Sequence, residues 1–165
     1  MYKKSMLSLG LAGLLVMTTP ALAGPEVNTA SGLVLVDGKP APGLAVHGFD
    51  VVAYFKDGRP TQGNARYSVV HGEATYRFDS RANADAFKSN PEKYKPAFGG
   101  YCAYGVSVGA KFDGDPRFWK IVDGKLYLNL DRAIATAFNK DVSGSIKKAE
   151  TKWVKLRDLR PSEIK

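Results

Sequence analysis

One thiol, two imidazoles and a scatter of carboxylates are the groups in this 165-residue chain that could act as nucleophile, base or metal donor. The thiol, Cys102, sits in Gly99-Gly100-Tyr101-Cys102-Ala103-Tyr104-Gly105, with glycines on both sides and aromatic rings at i−1 and i+2. Glycine recurs where the backbone needs φ > 0 or passes very close to something else, so the run reads as a chemically exposed backbone corner. His47 lies beside Gly48 and three residues before Asp50, and His71 precedes Gly72 in a turn. A thiolate with two imidazoles suits Zn(II) or copper in a tetrahedral or trigonal site. The same groups form the minimal set for a cysteine hydrolase, with Cys102 as nucleophile, His47 as base, Asp50 as orienter and glycine-rich backbone as oxyanion donor. No histidine follows Cys102 and no donor pair lies at i, i+4, so the spacing is not a zinc-finger or cupredoxin pattern.

The chain that carries these groups reads as exported. Lys3 and Lys4 precede an apolar run over 6–17, and Thr18-Thr19-Pro20 breaks it ahead of the small-x-small site Ala21-Leu22-Ala23. That is the layout of a secretory signal peptide over residues 1–23, cleaved after Ala23. The run is too short to span a bilayer, which takes about 20 residues. The expected address is therefore periplasmic or secreted, with no stable membrane insertion after cleavage. Loss of the leader removes two lysines and lowers the formal charge from +8 to +6. Lys147-Lys148 and the basic stretch 152–160 read as solvated helix face, and an exported protein is not expected to meet nucleic acid. One cysteine makes no intramolecular disulfide. Met1, Met6 and Met17 all fall in the leader, which counts against a methionine-rich Cu(I) carrier.

The elements that must position the candidates follow from patterning. Residues 24–31 are polar and expected to be disordered, 33–36 form a strand ending at Asp37-Gly38, and 39–43, with two prolines, form a loop. Asp50 caps a helical turn within 49–55. Strands over 65–70 and 74–78 flank His71-Gly72 as a hairpin. Asp79-Ser80 start a helix to Asn90 with Ala82, Ala86 and Phe87 inward, and Pro91 opens one more turn. Asp123-Gly124 joins strands over 118–122 and 125–130, the strongest hairpin signal in the chain. Asp131 caps a helix to Lys140, and Ser143-Gly144-Ser145 opens a last one with Ile146, Ala149 and Trp153 inward. The expected fold class is α+β: a small single domain of short antiparallel β-hairpins packed with a few helices. Residues 24–46 form an N-terminal segment with a short strand, and 47–165 the domain with its C-terminal helices.

Several of these segments resemble the YHS domain, in the subgroup of exported bacterial proteins that carry it alone. The likeness rests on Gly48-Phe49-Asp50-Val51-Val52-Ala53-Tyr54-Phe55, Thr75-Tyr76-Arg77-Phe78, Ala86-Phe87 and Asn90-Pro91-Glu92-Lys93-Tyr94. It continues through the glycine corner to Val106 and closes on Trp119-Lys120-Ile121-Val122-Asp123-Gly124-Lys125-Leu126-Tyr127-Leu128-Asn129. Relatives fused to heavy-metal transport ATPases are thought to handle copper or similar ions through three cysteines. The resemblance aligns those cysteines with Ala53, Asp79 and Asn83, so all three thiolates are absent here, and Asp79 reads as a helix-cap residue beside Ser80.

The combined expectation is a non-catalytic YHS protein that binds a transition-metal ion, copper before zinc, at Cys102. His47 is its second donor and Asp50 a third. Tyr101, Tyr104, Gly100 and His71 are expected to line the site. A dimer sharing two copies of Cys102, or a metal-handling partner in the envelope, would complete the coordination. The alternatives are a ligand-free protein-interaction module using Trp153 and the basic tail, and the cysteine hydrolase above.

Overall fold

A computed structural model describes residues 26–164, and among these three hairpins and six α-helices carry the fold; the expected leader lies outside these residues. Strands β1 (Thr29–Ala30), β2 (Val34–Val36), β3 (Lys39–Ala41) and β4 (Leu44–Ala45) come from the stretch before residue 47. This stretch is more ordered than its composition suggests. The loop expected over 39–43 pairs with β2 across Asp37-Gly38, both at positive φ, and Pro40 is tolerated because a two-stranded ribbon has free edges.

The helical turn α1 (Ala53–Lys56) leads to β5 (Asn64–His71) and β6 (Ala74–Phe78). The first sheet has the order β1-β4-β6-β5, with β4 parallel to β6 and the other pairs antiparallel. Thus the N-terminal segment contributes two strands to the same sheet as the hairpin. Helix α2 (Arg81–Ser89) is capped by the Ser80 hydroxyl and buries Asn83, Ala84 and Phe87; Ala82, expected inward, is exposed. The helix is rotated because Asn83 has a buried polar partner, which an apolar pattern cannot register.

Helix α3 (Pro91–Tyr94) and a 3-10 turn over Ala97–Gly100 lead into α4 (Ala103–Val108), which was not foreseen. Strands β7 (Asp115–Val122) and β8 (Lys125–Asn129) meet at Asp123-Gly124 as expected. Asp131 caps α5 (Arg132–Lys140), and α6 (Val142–Leu156) is capped by Asp141, two residues before the expected serine. The architecture is α+β.

Side chains alternate across a strand, and β8 uses this to serve two cores. Leu126 and Leu128 join the cluster of Val51, Val52, Tyr54, Phe78 and Phe87, whereas Tyr127 faces Phe98, Val106, Phe138 and Ala149. Helix α4 packs mainly against α6 in the second core. The glycine corner lies between the two cores.

Candidate functional site

Each expected donor has a definite place, and they differ in what remains free. Asp50 is fully buried. Its Oδ1 accepts from the amides of Val52 (2.8 Å) and Ala53 (3.2 Å), and its Oδ2 from the Asp79 amide (3.0 Å) and Asn83 Nδ2 (2.8 Å). Four donors occupy both oxygens. Burial pushes its pKa above the ordinary value, against the lowering effect of the hydrogen bonds from the Asn83 side chain and the Asp79 amide. Asp50 ties α1 to the start of α2, and its hydrogen-bond donors are Val52, Ala53, Asp79 and Asn83 rather than His47.

Cys102 is also fully buried, which corrects the expectation of an exposed corner. Its Sγ caps α4 by accepting from the Gly105 amide at 3.3 Å, and it lies 3.9 Å from Asn129 Oδ1. Burial raises the thiol pKa, against the pull of the Gly105, Leu130 and Tyr104 amides. The glycines serve close approach, but to the chain's own backbone. A Cβ at Gly99 would stand 1.8 Å from the Glu26 carbonyl oxygen, and one at Gly114 would stand 2.3 Å from that of Gly100. Asn28 N donates to Gly99 O, and Cys102 N to Phe112 O, each at 2.9 Å. Two segments, 26–28 and 112–114, therefore pass against the backbone of the corner.

His47 remains accessible. It sits in a 3-10 turn over Val46–Gly48 in which all three residues have positive φ: Val46 at 50°, His47 at 51° and Gly48 at 78°. Positive φ is unusual for a β-branched residue, and such conformations cost on the order of 1–3 kcal/mol where packing enforces them. Here Val46 is anchored in the first core. The turn aims His47 Nε2 at Asp113, 3.0 Å from both Oδ1 and Oδ2. Asn28 Nδ2 donates to the same carboxylate. The His47 and Asp113 side chains are 39% and 52% exposed, so solvent and solutes reach the pair.

Two open concavities flank this dyad. One, of about 610 Å³, is lined by Asn28, Tyr101, Lys111 and Pro161 together with the pair; the other, of about 590 Å³, adds Phe49, Asp115, Arg117 and Leu130. The Arg117 guanidinium holds Asp115 below the usual carboxylate range. Tyr101 is buried, and burial first, then the Asp113 charge, raises its phenol pKa. Lys111 donates to the Arg157 and Leu159 carbonyls, each at 2.7 Å, and lies 4.9 Å from the Tyr101 ring centroid. Its Nζ thereby holds the C-terminal segment beside the site, and burial lowers its pKa.

The structure therefore brings Tyr101 to His47 and leaves Cys102, Asp50 and His71 elsewhere. His71 stands edge-on to Phe87 at 5.7 Å and lines a separate cavity of about 290 Å³ with Tyr76 and Glu26. Tyr104 packs on the second core, and its amide donates to Asn129. Gly100, at φ 84°, is close enough to Val46 that a Cβ there would meet its side chain at 3.9 Å, so the His47 turn and the corner do pack together. Among the described residues no three His, Cys, Asp or Glu side chains gather as a metal site, and the set Cys102, His47 and Asp50 does not converge. Nor do Cys102 and His47 hydrogen-bond as a catalytic pair would.

Asp113, the partner that sequence reading missed, lies in the polar loop Lys111-Phe112-Asp113-Gly114-Asp115-Pro116 just after α4. The loop's two carboxylates were visible, but not its 66-residue reach to His47. Comparison with known proteins returns no matching family model, no similar curated protein and no similar solved structure.

Proposed function

We propose that this chain is an exported, non-catalytic YHS-type protein that handles a transition-metal ion, copper before zinc, with His47 and Asp113 as its donors. The observation carrying this reading is the approach of His47 Nε2 to both Asp113 oxygens at 3.0 Å, at the mouth of two concavities. An imidazole nitrogen and a carboxylate oxygen side by side are donors that Cu(II) takes in a tetragonal N,O site. The buried, protonated thiol does not suit a soft Cu(I) site, so the donor set changes from thiolate to imidazole and carboxylate. A two-donor site leaves positions for water or for a partner's ligand, as passing on an ion requires.

A second observation supports the YHS kinship. Positions 53, 79 and 83, which the resemblance aligns with metal-binding cysteines, come from α1 and from the start of α2 and meet at Asp50, with Asn83 Nδ2 donating to both Asp50 Oδ2 and Asp79 Oδ1. In this chain a hydrogen-bonded polar cluster occupies that place.

The test is titration of metal-free protein with Cu(II) and with Zn(II), read by calorimetry and, for copper, by electron paramagnetic resonance. One equivalent of Cu(II) should bind with nitrogen hyperfine splitting. His47→Ala should weaken binding at least tenfold and remove the splitting, Asp113→Asn should weaken it about tenfold, and Cys102→Ser should leave it unchanged. Absence of binding by the parent protein, or its loss in Cys102→Ser alone, rejects the reading.

A further inference from the structure

The outer face of α6 carries four exposed lysines, Lys147, Lys148, Lys152 and Lys155. Lys148, Lys152 and Lys155 fall at i, i+4 and i+7, one side of a helix with 3.6 residues per turn, and Lys147 stands along the same exposed arc. No carboxylate pairs with any of these four within salt-bridge distance among the described residues. The helix's one glutamate, Glu150, turns away to Lys125 at 3.7 Å. Asp158 and Glu163, just beyond the helix, are engaged by Arg157 and Arg160. Like charges at helical neighbours repel, so folding alone gives no reason for this row.

Apolar side chains accompany the lysines. Val154, seven residues after Lys147 and so on the Lys147 edge of this arc, is 71% exposed, and Val108, 57% exposed, ends α4 beside Gly109. Lys152 Nζ reaches to 3.6 Å from where a Gly109 Cβ would stand, so the lysine row adjoins the end of α4. None of the concavities at the His47 site is lined by Lys148, Lys152 or Lys155. Lys147 edges an open concavity of about 240 Å³ with Lys125 and Glu150, whereas Lys148, Lys152, Lys155, Val108 and Val154 stand outside it, and protruding groups of this kind fit a flat anionic plane better than a shaped acidic peptide. Basic clusters adsorb to anionic lipid headgroups in this way, and interspersed apolar groups enter the boundary region.

We infer that the α6 face docks this protein on a bilayer surface rich in anionic phospholipid. Docking holds the protein at the membrane through the α4–α6 side, independently of the His47 site.

Co-sedimentation with vesicles of phosphatidylcholine, alone or with about a third phosphatidylglycerol, tests this, at about 0.05 M and 0.5 M salt. All proteins compared share one N-terminus. The parent protein should bind only the anionic vesicles and be released at high salt. Replacing Lys148, Lys152 and Lys155 together by Gln should weaken binding on the order of 100-fold, about fivefold per lysine. The control removes three other exposed cations, Lys39, Arg59 and Arg66, and should retain most of the binding. His47→Ala should bind vesicles like the parent, which separates this surface from the metal site. Equal binding to both vesicle types, no loss in the α6 variant, or equal loss in the control overturns the proposal. Retention by poly-glutamate without retention by anionic vesicles reassigns the face to an acidic protein.

Discussion

Asp50 and His47 stand three residues apart in the chain and end in opposite circumstances. Asp50 is fully buried, and four hydrogen-bond donors from α1 and the start of α2 fill its oxygens. His47 is held just as firmly by its backbone, in a left-handed turn anchored through Val46, yet its ring faces open space with one carboxylate for company. Cys102 belongs with Asp50: a group able to bind metal, occupied instead as the cap of α4. The contrast separates chemical capability from availability. A buried polar group is retained because its partners would otherwise be unsatisfied, whereas an exposed group on a strained, well-anchored turn contributes little to folding and is free for a ligand.

Removing Asp50 is the severest trial of that contrast. Asp50→Ala leaves the Val52, Ala53 and Asp79 amides without this acceptor and removes one of the two that Asn83 Nδ2 has, and urea unfolding should show a loss of about 3–5 kcal/mol. A loss below about 1 kcal/mol would place Asp50 with His47 and erase the distinction.

A pH titration probes the buried side next. Burial, with the nearby Glu92 and Glu26 charges, pushes the Tyr76 phenol from 10.0 up to about 12. The folded state then holds this proton more tightly than the unfolded chain. Its contribution is intact below the ordinary tyrosine value and falls as pH rises from 10.0 to about 12, by roughly 2–3 kcal/mol. Chemical denaturation across that range should show the decline, and Tyr76→Phe should flatten it.

The glycine corner offers a sharper cut between the two regions. Gly99→Ala sets a Cβ against the Glu26 carbonyl at φ 61°, so residues 26–28 must move. The expected cost is about 1–2 kcal/mol, with faster amide exchange at Asn28 and weaker Cu(II) binding, because Asn28 no longer orients Asp113. Unchanged exchange at Asn28 would mean that the crossing segment does not depend on this glycine.

The smallest stability effect belongs to the site itself. His47→Ala should change stability by less than about 1 kcal/mol, since an exposed ion pair contributes little. A larger loss in thermal unfolding would make the dyad a folding element.

Much of the local structure was legible in the sequence because its causes are local. Asp123-Gly124 turns its hairpin, and Asp37-Gly38 its tight turn, through residues that accept positive φ, and Ser80, Asp131 and Asp50 hold helix starts by hydrogen bonds that span only a few residues. The elements that were misread answer to distant partners. Residues 29–30 are strand because β4 lies beside them, and Asn83 faces inward because Asp50 is there. The corner was rightly marked as a place of close approach, but glycine spacing cannot tell whether a ligand or the chain's own backbone comes near. Composition and spacing alone determined the α+β class and singled out Cys102, His47 and Asp50 as the groups capable of chemistry. Only the tertiary structure decided which of them is free. Burial and pairing depend on contacts such as His47 with Asp113, 66 residues apart, which no local pattern encodes.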